Sequence, residues 1–132
     1  MLEVGIPVYN AKDTLAKTLD SLVAQTKNNF ITCLSIDGDN NTEFYRKLAQ
    51  EYIRRGLKIR IINSEENGGP GAARQRILDT TQCDYIIFLD SDDMLMPRAV
   101  EVLSQYIRIN NFDIIRSGFI REEKYKQDLF IP

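Results

Sequence analysis

Tyr85-Ile86-Ile87-Phe88-Leu89-Asp90-Ser91-Asp92-Asp93 is an apolar run that ends in three acids within four positions. The segment from Asp84 to Leu89 is nearly all apolar, which predicts a central strand of a parallel sheet, covered on both faces. The acids then fall where the strand delivers the chain to a sheet edge. Carboxylates at i and i+2, Asp90 and Asp92, can point the same way while the chain stays extended. So many like charges repel one another unless a cation or solvent intervenes. Oxygen ligands with no His or Cys nearby suit Mg²⁺ or Mn²⁺, and such an ion could bridge the carboxylates to a diphosphate that they would otherwise repel. A solvated acidic turn capping the next helix is the plainer alternative, and this stretch alone does not separate the two.

Outward from this strand, the chain alternates strand and helix with little left over. Leu2 to Val8 reads as a first strand, with Pro7 where it must be ending. Asn10 can cap a helix whose Leu15, Leu19, Leu22 and Val23 form one apolar face. Ile31 to Asp37 is a second strand. Thr42 can cap a second helix with Phe44, Leu48 and Tyr52 on one stripe, stopped by Gly56. Leu57 to Ile62 is a third strand, followed by the sharp loop Asn67-Gly68-Gly69-Pro70-Gly71 and a short helix over Ala72 to Asp79. Beyond the acids, Pro97 suits the first turn of a helix carrying Val100, Leu103 and Ile107. Asn110-Asn111 ends that helix, and Phe112 to Ile115 is a further strand. The repeats predict an α/β fold with a mostly parallel sheet and helices on both faces. In such folds ligands collect beyond the C-terminal ends of the strands. After Ser117 the pattern fades into a charged segment, so residues 1–132 form one domain with an uncertain tail from 118.

The other strand ends also carry polar residues. Asp37, before Gly38, falls at the mouth of the second strand, where it can accept hydrogen bonds from a base or ribose, or simply make an Asx-type turn. In Asn67-Gly68-Gly69-Pro70-Gly71-Ala72-Ala73-Arg74, glycines let backbone approach a ligand and a helix N-terminus favours anions. Arg74 can meet a phosphate there, or be a surface arginine. Tyr9 can stack on a base, or pack under the first helix. The glycine-rich piece fits neither the dinucleotide fingerprint nor the P-loop.

Composition narrows the classes. Apolar residues make up 43% and charged residues 27%, an ordinary globular balance. With 17 basic and 19 acidic residues, and the basic ones scattered, no nucleic-acid partner is expected. Histidine is absent, so no His-based triad, zinc site or imidazole base exists in this chain. No signal peptide and no membrane-length apolar run is found. Cys33 and Cys83 are expected as reduced thiols of a cytoplasmic protein.

Together the segments resemble the family 2 inverting glycosyltransferases, which have the three-layer Rossmann-like GT-A fold for nucleotide-diphospho-sugar transfer. The matching pieces are Ile6-Pro7-Val8-Tyr9-Asn10 with Leu15 and Leu19 to Leu22, then Asp37-Gly38, then Asn67-Gly68-Gly69 through Ala73-Arg74, then Tyr85 through Asp93 with Pro97. The resemblance implies a nucleoside-diphosphate sugar as donor, first of all a UDP-sugar, with Mn²⁺ or Mg²⁺ as cofactor. It also implies a glycan, lipid or protein acceptor, as in cell-wall or polysaccharide biosynthesis. By position it places Pro7, Tyr9, Asp37, Asn67, Gly68 and Arg74 around the donor, with Asp37 reading the base edge. Asp90 and Asp92 stand at its D-x-D signature: Asp92 for direct metal ligation, Asp90 for the ribose or a metal water, with Ser91 beside them in the donor site.

Two features depart from that family. The usual pair of acids closing the second strand is Ile36-Asp37 here, which leaves the more telling second acid in place. The chain is also short: family members take the acceptor site and general base from a later segment. The expectation is therefore the nucleotide-binding half of the enzyme domain, truncated on its C-terminal side. It would bind donor and leave the catalytic base unassigned, attach to a membrane only through missing segments, and have an open sheet side that favours self-association. The alternative is a non-catalytic nucleotide-sugar-binding or assembly module. A receiver domain needs an acidic pair where Tyr9-Asn10 stands, and a sugar nucleotidyltransferase needs a basic glycine-rich loop there.

Overall fold

The computed structural model describes residues 1–109, and the backbone of 119–120 and 129–130. In chain order the elements are β1 (Leu2–Val8), α1 (Leu15–Val23), β2 (Phe30–Asp37), α2 (Thr42–Arg54), β3 (Ile59–Ser64), α3 (Pro70–Thr80), β4 (Tyr85–Phe88) and α4 (Ala99–Ile109). The pairs β5 (Phe119–Ile120) and β6 (Leu129–Phe130) form a separate antiparallel ladder. The first four strands form one parallel sheet in the order β3-β2-β1-β4.

Period-two alternation divides this sheet into two faces. Val4, Ile6 and Val8 of β1, with Leu34 and Ile36 of β2, join a core built from Leu15, Leu19 and Leu22 of α1, Tyr45, Ala49 and Tyr52 of α2, and Val100 of α4. Each fully buried leucine there contributes roughly 2 kcal/mol. The opposite face carries Glu3, Cys33 and Ser35, and α3 covers it: the Ser35 hydroxyl donates to the Ala73 carbonyl at 2.9 Å. Glu3 is completely buried on that side and receives two hydrogen bonds from Arg60, at 2.7 and 3.0 Å. Burial opposes ionisation of Glu3, but the bonds from Arg60 and Thr81 outweigh it and hold its carboxyl below the usual range. The same burial pushes the Cys33 thiol up to about 12. Both cysteines are free.

Several local expectations are corrected. Among the described residues β1 and β2 hold the middle of the sheet and β4 stands last in it, half-buried, with Phe88 exposed; the further strand expected after α4 lies outside them. Pro7 sits in central β1, yet costs no ladder bond. The Gly5 carbonyl accepts from Leu89, so Pro7, two residues on, faces the same side just past the end of β4. Asn10 does not cap α1, which starts at Leu15 after a turn; it adopts a left-handed φ of 54° instead. On α2 the buried stripe is Tyr45, Ala49 and Tyr52, one residue round from the expected one, and Phe44 is at the margin. β3 runs two residues later than expected because Leu57 is used to pack the turn after Gly56. The strand expected over 112–115, and the helix end at 110–111, lie outside the described residues. No helix among the described residues is long and apolar enough to cross a membrane.

Candidate functional site

β1, β2 and β4 all end on the same side of the sheet, and the N-terminus of α3 rises beside them, so their loops surround one cleft of about 570 Å³. Pro7, Tyr9, Asp37, Asn67, Arg74, Asp90, Ser91 and Asp92, all singled out from the sequence, line it. Gly68 does not: its N–H is turned behind the wall toward Asp37. Val8, Asn10, Thr14, Gly69, Pro70 and Ala73 complete the lining.

Asp37 is almost fully buried at the base of the cleft. Its Oδ1 accepts from the Gly68 N–H at 3.0 Å and from Arg76 at 2.7 Å, and its Oδ2 accepts from the Gly69 N–H at 2.8 Å. Burial disfavours its charge, but the Gly68 N–H, the Arg76 guanidinium and the Gly69 N–H together outweigh that and lower its carboxyl from the ordinary value. The carboxylate therefore closes β2 onto the glycine-rich loop, and Oδ2, with a single donor, retains acceptor capacity. This packing needs Gly38: at φ 66° its backbone lies so close to the loop that a Cβ would sit 2.4 Å from the Asn67 nitrogen. Arg76 was not anticipated from the sequence. Its spacing from Arg74 puts the two on different sides of α3, and only the register of α3 against β2 tells which one meets Asp37.

A second carboxylate missed by sequence reasoning holds the loop after β1. Asp39 accepts from the Asn10 N–H at 2.6 Å, the Asn41 N–H at 2.8 Å and the Tyr45 hydroxyl at 2.7 Å. The Tyr45 oxygen in turn accepts the Ala11 N–H at 2.9 Å. Burial and then the Asp39 bond push the Tyr45 hydroxyl up to about 12, so it stays protonated as the bridging donor. This arrangement ties the left-handed turn at Asn10 to the end of β2. It leaves Tyr9, 56% exposed, projecting at the cleft mouth.

The acids after β4 form the opposite wall. Asp90, Asp92 and Asp93 are exposed, and each can present an oxygen within 4.8 Å of the others. Arg74 reaches Asp90 at 3.0 Å, an exposed pair that partly neutralises one end of the cluster. Burial first, then the charges of Asp92 and Asp90, raise the Asp93 carboxyl from its usual range. The donor set is oxygen only and its charges are uncompensated at one end, which fits a hard divalent cation such as Mg²⁺ or Mn²⁺. Glu101, the next acid along, is engaged elsewhere, by Thr26 at 2.7 Å and Arg98 at 3.1 Å.

Comparison with known proteins agrees with this arrangement. The model of the family described as "Glycosyl transferase family 2" matches residues 3–127. The uncharacterized glycosyltransferase EpsJ of Bacillus subtilis is 26% identical over the whole chain, which spans 38% of that protein. The poly(ribitol-phosphate) beta-glucosyltransferase of Bacillus spizizenii is 32% identical over 86% of the chain, which spans 18% of it. Among solved structures, S. aureus TarS 1-349 in complex with UDP-GlcNAc superposes with a TM-score of 0.74 at 21% identity, over 91% of this chain and 38% of that one. The mannosyltransferase PcManGT from Pyrobaculum calidifontis, in complex with GDP-Man and Mn²⁺, gives 0.71 at 15% identity, over 93% and 36%. At such identities the likeness establishes the fold, which is GT-A. The chain spans well under half the length of these relatives.

Proposed function

This chain belongs to glycosyl transferase family 2, and from that premise we propose that its cleft binds a nucleoside-diphosphate sugar, a UDP-sugar first, as donor for transfer to an acceptor hydroxyl. The observation that carries the reading is the meeting of three strand ends and a helix N-terminus around one cleft walled by Asp90 and Asp92. Pro7 and Tyr9 offer an apolar surface to the base, and Oδ2 of Asp37 accepts a base N–H. Asn67 and the free N–H groups at the start of α3 face the diphosphate, where helix-end amides favour negative charge. Arg74 lies beside them, and Asp90 with Ser91 stands nearest the ribose.

Asp92, with Asp90 and Asp93, would hold Mg²⁺ or Mn²⁺. When bound, that ion supplies charge neutralisation for the diphosphate as it leaves. Transfer with inversion further requires an acceptor held in line and a base to take its proton. Relatives whose names point to poly(ribitol-phosphate) and amylovoran support a cell-wall or polysaccharide acceptor. The complexes of TarS with UDP-GlcNAc and of PcManGT with GDP-Man and Mn²⁺ support a nucleotide-sugar donor and a divalent ion.

Calorimetry of UDP with and without Mn²⁺ tests the reading. Wild type is expected to bind UDP more tightly with Mn²⁺, and Asp92→Ala to lose that gain while keeping metal-free affinity. Unchanged metal-assisted affinity in Asp92→Ala would reject the role given to this residue. One observation favours a second reading, a donor-binding unit that does not turn over alone. The carboxylates lining the cleft, Asp37, Asp90 and Asp92, are all engaged in the loop clasp or the acidic cluster, which leaves no cleft-lining carboxylate free to deprotonate an acceptor.

A further inference from the structure

The acids lie on a loop with no helix or strand of its own between β4 and α4. Its shape is supplied by α1. The Thr18 hydroxyl donates to the Ser91 carbonyl at 3.0 Å, and the Ser21 hydroxyl accepts the Leu95 N–H at 3.1 Å. Gln25 donates to the Met96 carbonyl at 2.8 Å and accepts the Val100 N–H at 3.0 Å, and the Thr26 N–H donates to Pro97 at 2.9 Å. A spacing of three residues puts Thr18 and Ser21 on one stripe of α1, beside the Leu15, Leu19 and Leu22 stripe that enters the core, and Gln25 and Thr26 follow just past the helix end. The helix and the two residues after its cap thus hold backbone groups between Ser91 and Val100.

Thr18 is the member that bears on the acids. It is completely buried. A threonine in a helix commonly turns its hydroxyl to a carbonyl of its own preceding turn, but this one crosses to a residue 73 positions away. Its acceptor is the carbonyl of Ser91, in the peptide plane between Asp90 and Asp92. Holding that plane sets the direction in which the Asp92 side chain leaves the backbone, and hence its distance from Asp90. Asp90 is also tethered by Arg74. Among the described residues the Asp92 side chain has no such tether; its backbone is held on one side by the Asp93 N–H, which donates to the Asp90 carbonyl at 3.0 Å, and on the other by Thr18 at the Ser91 carbonyl.

We propose that Thr18 is a positioning residue for the metal-binding acids: its hydroxyl presets the Asp90–Asp92 geometry, so that the cation meets a preorganised site. The inference rests on the metal-assisted donor reading above, and its test separates the two. Three proteins are titrated with Mn²⁺, followed by electron paramagnetic resonance of the free ion, and with UDP by calorimetry at zero and saturating Mn²⁺. They are the wild-type chain, Thr18→Val and Thr18→Ser. Valine keeps the shape and deletes the donor, leaving the Ser91 carbonyl unpaired. Loss of one buried hydrogen bond, of about 1 kcal/mol, corresponds to roughly five- to tenfold weaker Mn²⁺ binding.

The expected result is that loss in Thr18→Val, with metal-free UDP affinity unchanged and Thr18→Ser within about twofold of wild type. A merely structural role would lower both UDP affinities together and leave serine as impaired as valine. Either that pattern, or wild-type Mn²⁺ affinity in Thr18→Val, overturns the inference. If valine does not fold, Thr18→Ala takes its place with the same criteria. A wild-type chain that binds UDP equally with and without Mn²⁺ would instead overturn the metal reading itself, and this inference with it.

Discussion

Replacing Asp37 by Asn tests whether its carboxylate shapes the donor cleft. The three donors it accepts are divided two to one: Gly68 N–H and Arg76 on Oδ1, Gly69 N–H on Oδ2. An amide has one acceptor oxygen, so whichever way it turns, an NH₂ group meets at least one of these donors. The better orientation keeps oxygen on the Gly68 and Arg76 side and loses Gly69. A hydrogen bond to a charged group is worth about 1.5–3 kcal/mol. The Arg76 bond survives but becomes charge-to-neutral, and its loss is discounted because that side chain is 27% exposed. Together these come to about 2–4 kcal/mol of stability. For a domain of this size that lowers Tm by about 10 °C. With the Gly68–Gly69 wall released, UDP affinity should fall at least about tenfold, equally with and without Mn²⁺. Thermal unfolding by circular dichroism and calorimetry of UDP binding measure both. Asp92→Ala is the internal contrast, since an exposed, mutually repelled acid should leave Tm unchanged or slightly raised. A Tm within about 2 °C of wild type, with UDP affinity intact, would refute the role assigned to Asp37.

The carboxyls of Glu3, Asp37 and Asp39 are all held below their ordinary values, in each case by hydrogen bonds that outweigh burial. Unfolded, they would titrate near about 4. The stability they contribute is complete above that value and is lost as pH falls through their lowered folded values. Tm measured from neutrality downward should stay level to about pH 5 and drop steeply below about 4, with a shallower drop in Asp37→Asn; a level Tm down to pH 3 would contradict the assignment. In a radiolabelled donor assay over a panel of acceptors, the 132-residue chain alone is expected to transfer sugar far more slowly than ordinary enzymes. Turnover of about 1 per second or faster would show that a competent base is present after all.

Much of the site was legible before any coordinates, because strand and helix periodicities are local and polar residues at strand ends stand out against apolar runs. Tyr9, Asp37, Asn67, Arg74, Asp90, Ser91 and Asp92 were placed at one sheet edge by this reasoning and by the family resemblance, and they line one cleft. Periodicity also carried the parallel α/β architecture and helices on both faces. It could not order the strands: the arrangement β3-β2-β1-β4 is set by pairing between distant segments, which no local pattern encodes. Nor could it phase α2 to one residue, since Phe44 and Tyr45 are both aromatic and only packing shows which ring, with its hydroxyl bridging Ala11 and Asp39, enters the core.

The sequence by itself determined the elements and the chemistry at their ends. Only the tertiary structure decided the pairings: Arg76 rather than Arg74 on Asp37, Asp39 on the turn at Asn10, Thr18 on the peptide between two acids. These contacts join residues 29 to 73 positions apart. At that range no local spacing fixes a distance, and strand order and helix register select which donor meets which acceptor.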